Sequence, residues 1–137
     1  MGQVLSRILA GVLLLTPLTL GAVLPAAAAE LDGEYVIEGR DPGGGAKYKG
    51  QVLVVKEDAT YSVIWKIQNQ VLYGTGILQD KSFAVTYLNY GPASAPGLAL
   101  YDVSDDGTLT GRFTMLGAKN LGVEAWIRTG GLGDQEP

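Results

Sequence analysis

The sequence predicts an all-β fold, an eight-stranded antiparallel up-and-down barrel that follows an N-terminal export segment. Three observations predict it. Between Leu31 and Thr129, eight successive runs alternate apolar and polar residues with a period of two, the mark of half-buried strands. Short turn sequences such as Asp58-Ala59, Asp80-Lys81 and Asp105-Asp106-Gly107 separate the runs, so consecutive strands are expected to pair. No stretch after Ala29 repeats at the helical period, and glycines such as Gly50, Gly74, Gly76 and Gly111 fall inside the strand patterns. Mid-strand glycines permit the bends that closing a sheet requires, and closure removes its exposed edges.

The elements follow in order. Tyr35, Ile37 and Gly39 alternate with Glu34, Val36 and Glu38, and a glycine-rich loop at 41–45 ends the run. Residues 47–56 place Tyr48, Gly50, Val52 and Val54 on one face. Residues 60–68 give the cleanest alternation, with Tyr61, Val63, Trp65 and Ile67 together. In 71–79, Tyr73, Thr75 and Ile77 oppose Leu72, Gly74, Gly76 and Leu78; in 82–90, Phe83, Val85 and Tyr87 share a side. After the irregular stretch 91–97 come a sixth strand at 98–103 and a seventh marked by Leu109, Gly111, Phe113 and Met115. The eighth covers 121–129, which makes 30–129 the barrel domain and leaves 130–137 as a frayed tail.

The first 29 residues form a targeting segment. Arg7 is the sole charged side chain before Glu30, residues 8–24 are almost wholly apolar, and Ala26 to Ala29 supply the small-x-small pattern of a signal-peptidase site. Cleavage after Ala29 is expected to leave 108 residues, periplasmic or secreted, with nine basic against fourteen acidic side chains. Pro17 and the alanine run argue against a retained membrane span, and no cysteine follows to carry a lipid, so no stable membrane anchor is expected after cleavage.

Composition closes several chemistries. The chain has no cysteine and no histidine, which excludes disulfides, Cys/His metal sites and His-dependent nucleophiles. A net charge of −4 without a basic cluster argues against nucleic acid as partner. Gly43-Gly44-Gly45-Ala46-Lys47 lacks the Ser/Thr and the helix of a phosphate loop. Asp102, Asp105 and Asp106 give only part of a calcium-loop spacing, with Phe113 where that loop needs glutamate. Glu38 and Glu124 are the conceivable pair for carboxylate hydrolysis, although acids on strand faces are ordinarily solvated. The expectation is a protein that is not an enzyme and needs no cofactor and no metal.

Three resemblances accompany this reading. Asp106-Gly107-Thr108-Leu109-Thr110-Gly111-Arg112-Phe113 resembles the Asp-Gly-x-Leu-x-Gly-x-aromatic hairpin of avidin-type eight-stranded barrels, which implies architecture alone, since none of that family's biotin-contacting positions is matched. The motif falls late in this chain and early in that family. Gly45-Ala46-Lys47-Tyr48 is similar to a loop of the periplasmic inhibitors of c-type lysozyme, with Gly44 in place of their serine and without their cysteines. The opening at Gly33, Tyr35 and Gly39 resembles small uncharacterised exported bacterial proteins.

The eleven aromatic residues beyond the targeting segment all fall in the predicted sheet. They either fill the barrel themselves or line a mouth that accepts one small apolar or aromatic ligand, the limit of what eight strands enclose. The candidate ligand-binding residues are Tyr61, Trp65, Tyr73, Tyr87, Tyr101, Glu124, Trp126 and Arg128. The last strand separates the cases: the expectation is that Leu121, Val123, Ala125 and Ile127 face inward, leaving Glu124 and Arg128 a surface pair. If Trp126 turns inward instead, the Glu124–Arg128 pair is buried, must be hydrogen-bonded and becomes a candidate ligand anchor. The other function class is a binding module for an envelope or extracellular protein, which would use the acidic surface and the loops at 42–45 and 92–97.

Overall fold

A computed structural model describes residues 30–91 and 94–130; the expected targeting segment 1–29 and residues 131–137 of the expected tail lie outside the described residues. The eight predicted strands are present as β1 (Gly33–Arg40), β2 (Lys47–Glu57), β3 (Thr60–Ile67), β4 (Gln70–Gln79), β5 (Ser82–Asn89), β6 (Gly97–Val103), β7 (Leu109–Met115) and β8 (Gly122–Gly130). Each pairs antiparallel with the next, and β8 returns to β1, so the sheet is a closed up-and-down barrel. Boundaries differ from expectation by a residue or two. Gly130, expected in the tail, pairs with Glu34 as the last residue of β8.

The register explains how the sheet closes. Gly33 pairs with Val54, Val54 with Val63, Val63 with Gly74, Gly74 with Tyr87, Tyr87 with Gly97 and Gly97 with Met115. Carrying the β7–β8 and β8–β1 offsets onward returns to β1 about ten residues beyond Gly33, a stagger that tilts the strands by about 35–45° and leaves an interior one layer of rings wide. Three connections are two-residue turns whose first residue (Asp58, Gln68 or Asp80) has positive φ. The β6–β7 turn uses Gly107 at φ 80° and is tied by Asp106, whose Oδ1 accepts from the Thr108 N–H at 2.9 Å and from the Ser104 hydroxyl.

Period-two alternation decides what is inside. Tyr35, Ile37, Val52, Val54, Tyr61, Val63, Trp65, Phe83, Val85, Ala99, Tyr101, Val103 and Leu109 form the core, as the alternation in β1 to β7 requires. In β4 the inward set is Leu72, Gly74, Gly76 and Leu78, which puts Tyr73 on the outer wall. Bulky rings fit because glycines lie beside them. Gly39 pairs with Tyr48, Gly97 with Tyr87, Gly111 with Tyr101 and Gly122 with Phe113, and in each pair the ring occupies the space a glycine Cβ would need.

The expectation for β8 is overturned. Glu124 and Trp126 face inward, 6% and 0% exposed, while Val123 and Ile127 lie outside at 49% and 55%. Register gives the reason: Trp126 pairs with Ile37 on β1 and with Leu109 on β7, and residues directly opposite in a ladder share a face. No surface pair of Glu124 with Arg128 forms. Arg128 instead lies 5.4 Å from the Tyr35 ring centroid, donates to the Tyr35 hydroxyl at 3.1 Å and also donates to the Glu30 carbonyl.

The two ends of the barrel differ. The end formed by the β2–β3, β4–β5 and β6–β7 turns is plugged by Leu31, 1% exposed, whose carbonyl accepts from the Tyr35 hydroxyl at 2.7 Å. The opposite end, formed by the β1–β2, β3–β4, β5–β6 and β7–β8 connections, is open.

Candidate functional site

The open end holds a cavity of about 530 Å³. Its lower wall and floor are Trp65, Tyr101 and Glu124; above them stand Tyr48, Ile67, Leu72, Tyr87 and Phe113, with Met115 at the rim. These residues converge by a simple rule. In an antiparallel meander, odd strands end and even strands begin at the same end, so inward residues late in β3, β5 and β7 meet those early in β2, β4 and β8. Tyr48, Phe113, Tyr87 and Trp65 form a chain of rings, with centroids 6.4 Å apart for Tyr48–Phe113, 6.4 Å for Phe113–Tyr87 and 5.8 Å for Tyr87–Trp65.

Glu124 is the sole buried charged side chain among the described residues. Its Oε1 accepts from the Tyr48 hydroxyl at 2.7 Å. Its Oε2 accepts from the Tyr101 hydroxyl at 2.7 Å, from Trp126 Nε1 at 2.5 Å and from Trp65 Nε1 at 3.4 Å. Glycines make this arrangement possible. Glu124 pairs across the ladder with Gly39 on one side and Gly111 on the other. Tyr48 stands on the strand beyond Gly39, and Tyr101 on the strand beyond Gly111. Each phenol therefore crosses a strand that has no side chain at that level, and the two hydroxyls reach one carboxylate from opposite sides. At Gly111 the constraint is strictest, because an added Cβ would strike the Leu100 carbonyl as well as the Tyr101 ring.

The phenols around this carboxylate hold their protons tightly. Burial, reinforced by the negative field of Glu124 and by hydrogen bonding to it, raises Tyr48 and Tyr101 well above the ordinary phenol value of 10.0. Burial and the same field push Tyr87 up to about 12. Burial also raises Tyr35, against the opposing pull of Arg128. Such phenols remain O–H donors across the physiological range. A group whose pKa is higher folded than unfolded contributes stability that is complete below the unfolded value and fades as pH climbs past it. Alkaline titration followed at the phenolate absorbance band is therefore expected to find four tyrosines that resist ionisation above pH 10.0, then unfolding as they are forced to titrate. Free ionisation of all seven tyrosines with the barrel still folded would contradict the buried network.

Of the eight residues singled out from the sequence, Trp65, Tyr87, Tyr101 and Glu124 line the mouth. Trp126 lies directly beneath its floor. Tyr61 belongs to the plugged end, edge-on to Phe83 at 5.5 Å, and so does Arg128. Tyr73 is on the outer wall, 45% exposed and stacked edge-on with Tyr90 at 5.1 Å, because its parity in β4 is outward. The sequence reading missed Tyr48, Ile67, Leu72 and Phe113, whose signal was inward parity combined with position near the open end of a strand.

The remaining constellations separate. Glu38 is on the outer face of β1, paired with Lys49 at 2.6 Å, and does not meet Glu124. Asp102 points outward from β6, Asp105 pairs with Lys81 at 2.6 Å and Asp106 caps its own turn. Among the described residues no cluster of acids is arranged to hold a metal ion. The 41–45 loop closes on itself, with the Asp41 N–H donating to the Ala46 carbonyl at 3.0 Å, and leads into a strand. A wider hollow of about 970 Å³ lies over β6, β7, β8, β1 and β2, bordered by Glu38, Arg40, Lys49, Asp102 and Arg112, and it reaches Tyr48 and Glu124 at the level of Gly39 and Gly111. No protein-family model matches the chain, and no curated protein matches it in sequence.

Proposed function

We propose that this chain is an exported, non-catalytic binding protein that holds one small apolar or aromatic molecule in the open mouth of its barrel. The observation that carries the reading is the mouth itself. A cavity of about 530 Å³ lined by five aromatic residues and floored by one carboxylate has the size and lining of a ligand site, mostly apolar with few polar groups. The closed end beneath it supports the same reading, since Leu31 and the buried rings pack against one another under the walls. Export to the periplasm or medium is the part of the proposal that rests on the apolar run at 8–24 and the alanines at 26–29.

A library of small aromatics and lipids, titrated against intrinsic fluorescence, tests the proposal, because Trp65 forms part of the wall and Trp126 lies under the floor. At least one class is expected to change the emission saturably with 1:1 stoichiometry, and native mass spectrometry is expected to find the same mass increment. A library without a single saturable binder, together with a ligand-free mass for protein purified from its host, would refute it.

A second reading, a binding module for another protein, is favoured by one feature. Ile77, Leu98 and Leu100 are each more than half exposed on the outer wall near Tyr73 and Tyr90. Scattered exposed aliphatics are common on soluble proteins, so the mouth remains the stronger basis.

A further inference from the structure

Resting on the reading of the mouth as a ligand site, we infer that its occupant carries a positive charge: an organic amine or quaternary ammonium on an apolar or aromatic body, its cationic head against Glu124 Oε1 within the rings of Tyr48, Trp65, Tyr87 and Phe113.

Three independent features of the site point to a cation. The first is the uneven distribution of protein donors. Oε2 takes three (Tyr101, Trp126 and the longer contact from Trp65), whereas Oε1 takes one, from Tyr48. Protein groups therefore crowd Oε2, and Oε1, bonded to Tyr48 in the cavity wall, is the oxygen they leave the more accessible to a guest.

The second is charge. All four donors to Glu124 are neutral groups, and the two ion pairs among the described residues, Lys49–Glu38 and Lys81–Asp105, are both elsewhere on the surface. Neutral donors orient a carboxylate without cancelling its charge. Asp41 and Lys47 lie at the rim, and Glu124 is the one charged side chain on the floor of the mouth.

The third is the wall. Five aromatic residues line the one cavity, and an aromatic ring attracts a cation through its electron-rich face, indole most strongly. A neutral apolar guest would use these rings equally well but would form no ion pair with Glu124. An anionic guest would meet Glu124 directly. The arrangement therefore ranks ligands by charge: cation first, neutral second, anion last.

Three probes of nearly equal shape test the ranking: 2-phenylethylamine, 2-phenylethanol and 3-phenylpropanoate, each titrated at pH 7 against the fluorescence of the full folded protein. The amine is expected to bind at least tenfold more tightly than the alcohol, and the carboxylate more weakly than either. In Glu124→Gln the preference for the amine over the alcohol is expected to collapse to within about twofold. Phe113→Leu removes a ring with no bond to Glu124 and serves if Glu124→Gln does not fold; it is expected to weaken all three probes while preserving their order. Alcohol binding as tightly as amine overturns the inference and leaves the mouth a neutral-ligand site. Failure of all three probes to bind also overturns it, and joined to a barren library it removes the proposed function as well.

Discussion

Trp126→Ala is expected to remove about 3–5 kcal/mol from the unfolding free energy, a large part of the roughly 5–15 kcal/mol that a domain of this size possesses. Trp126 is 0% exposed and its ring meets four others, with centroids at 4.4 Å from Tyr101, 5.7 Å from Tyr35, 5.7 Å from Trp65 and 6.4 Å from Phe83. Truncation opens a cavity at the centre of this cluster and also removes a donor from Glu124. The control is the next residue along the same strand. Ile127 is 55% exposed on the outer wall, so Ile127→Ala is expected to change stability by less than about 1 kcal/mol. Urea denaturation of the pair measures which face of β8 is inside. A severe Ile127→Ala and a mild Trp126→Ala would mean that the strand is turned the other way.

Glu124→Leu is expected to be comparably damaging, at about 3–5 kcal/mol, for a different reason. Leucine adds apolar volume where apolar volume is favourable, yet it deprives Tyr48, Tyr101, Trp65 and Trp126 of their common acceptor. Each buried donor left without a partner costs about 1–3 kcal/mol. Tyr48 is half-buried at the mouth and can turn to water, so most of the loss falls on Tyr101 and the two indoles. Glu124→Gln retains a carbonyl acceptor but turns an amide N–H₂ towards other donors, and about 1–3 kcal/mol is expected. Equilibrium denaturation of the three proteins is expected to rank wild type above Gln and Gln above Leu. A Leu variant as stable as wild type would show that the carboxylate is not the hub of the network.

Most of the fold could be read from the sequence because alternation and turn residues act locally. Tyr61, Val63, Trp65 and Ile67, or Phe83, Val85 and Tyr87, announce their face without reference to any other strand. The eighth strand was misread because both of its faces satisfy that local test. Leu121, Val123, Ala125 and Ile127 are an acceptable inner face by hydrophobicity, while Trp126 with Glu124 appears compromised by its charge. Only the ladder decides between them, since Ile37 and Leu109 flank Trp126, and Gly39 and Gly111 leave the room beside Glu124 that two phenols fill. That is long-range information, carried by residues separated by most of the domain.

The site was legible to a similar depth. Aromatic content signalled a ring-lined interior, and an inward Trp126 implied a buried Glu124–Arg128 pair; Glu124 is buried, but Arg128 reaches the Tyr35 hydroxyl at the other end of the barrel. Which rings face the cavity and which seal the far end depends on position along the strand as well as parity. Tyr61 near the start of β3 and Trp65 near its end share a face yet serve opposite ends of the barrel. Tyr73 failed for parity alone.

The most direct test of the mouth as the binding site is a two-dimensional ¹H–¹⁵N correlation map, covering backbone amides and both tryptophan indoles, recorded while the strongest binder from the fluorescence library is added. The Trp65 indole and the amides of Tyr48, Tyr87, Phe113 and Glu124 are expected to shift together and saturate at one equivalent, while Leu98, Leu100 and Ile77 stay in place. Shifts confined to those outer-wall amides, with the Trp65 indole unmoved, would contradict it.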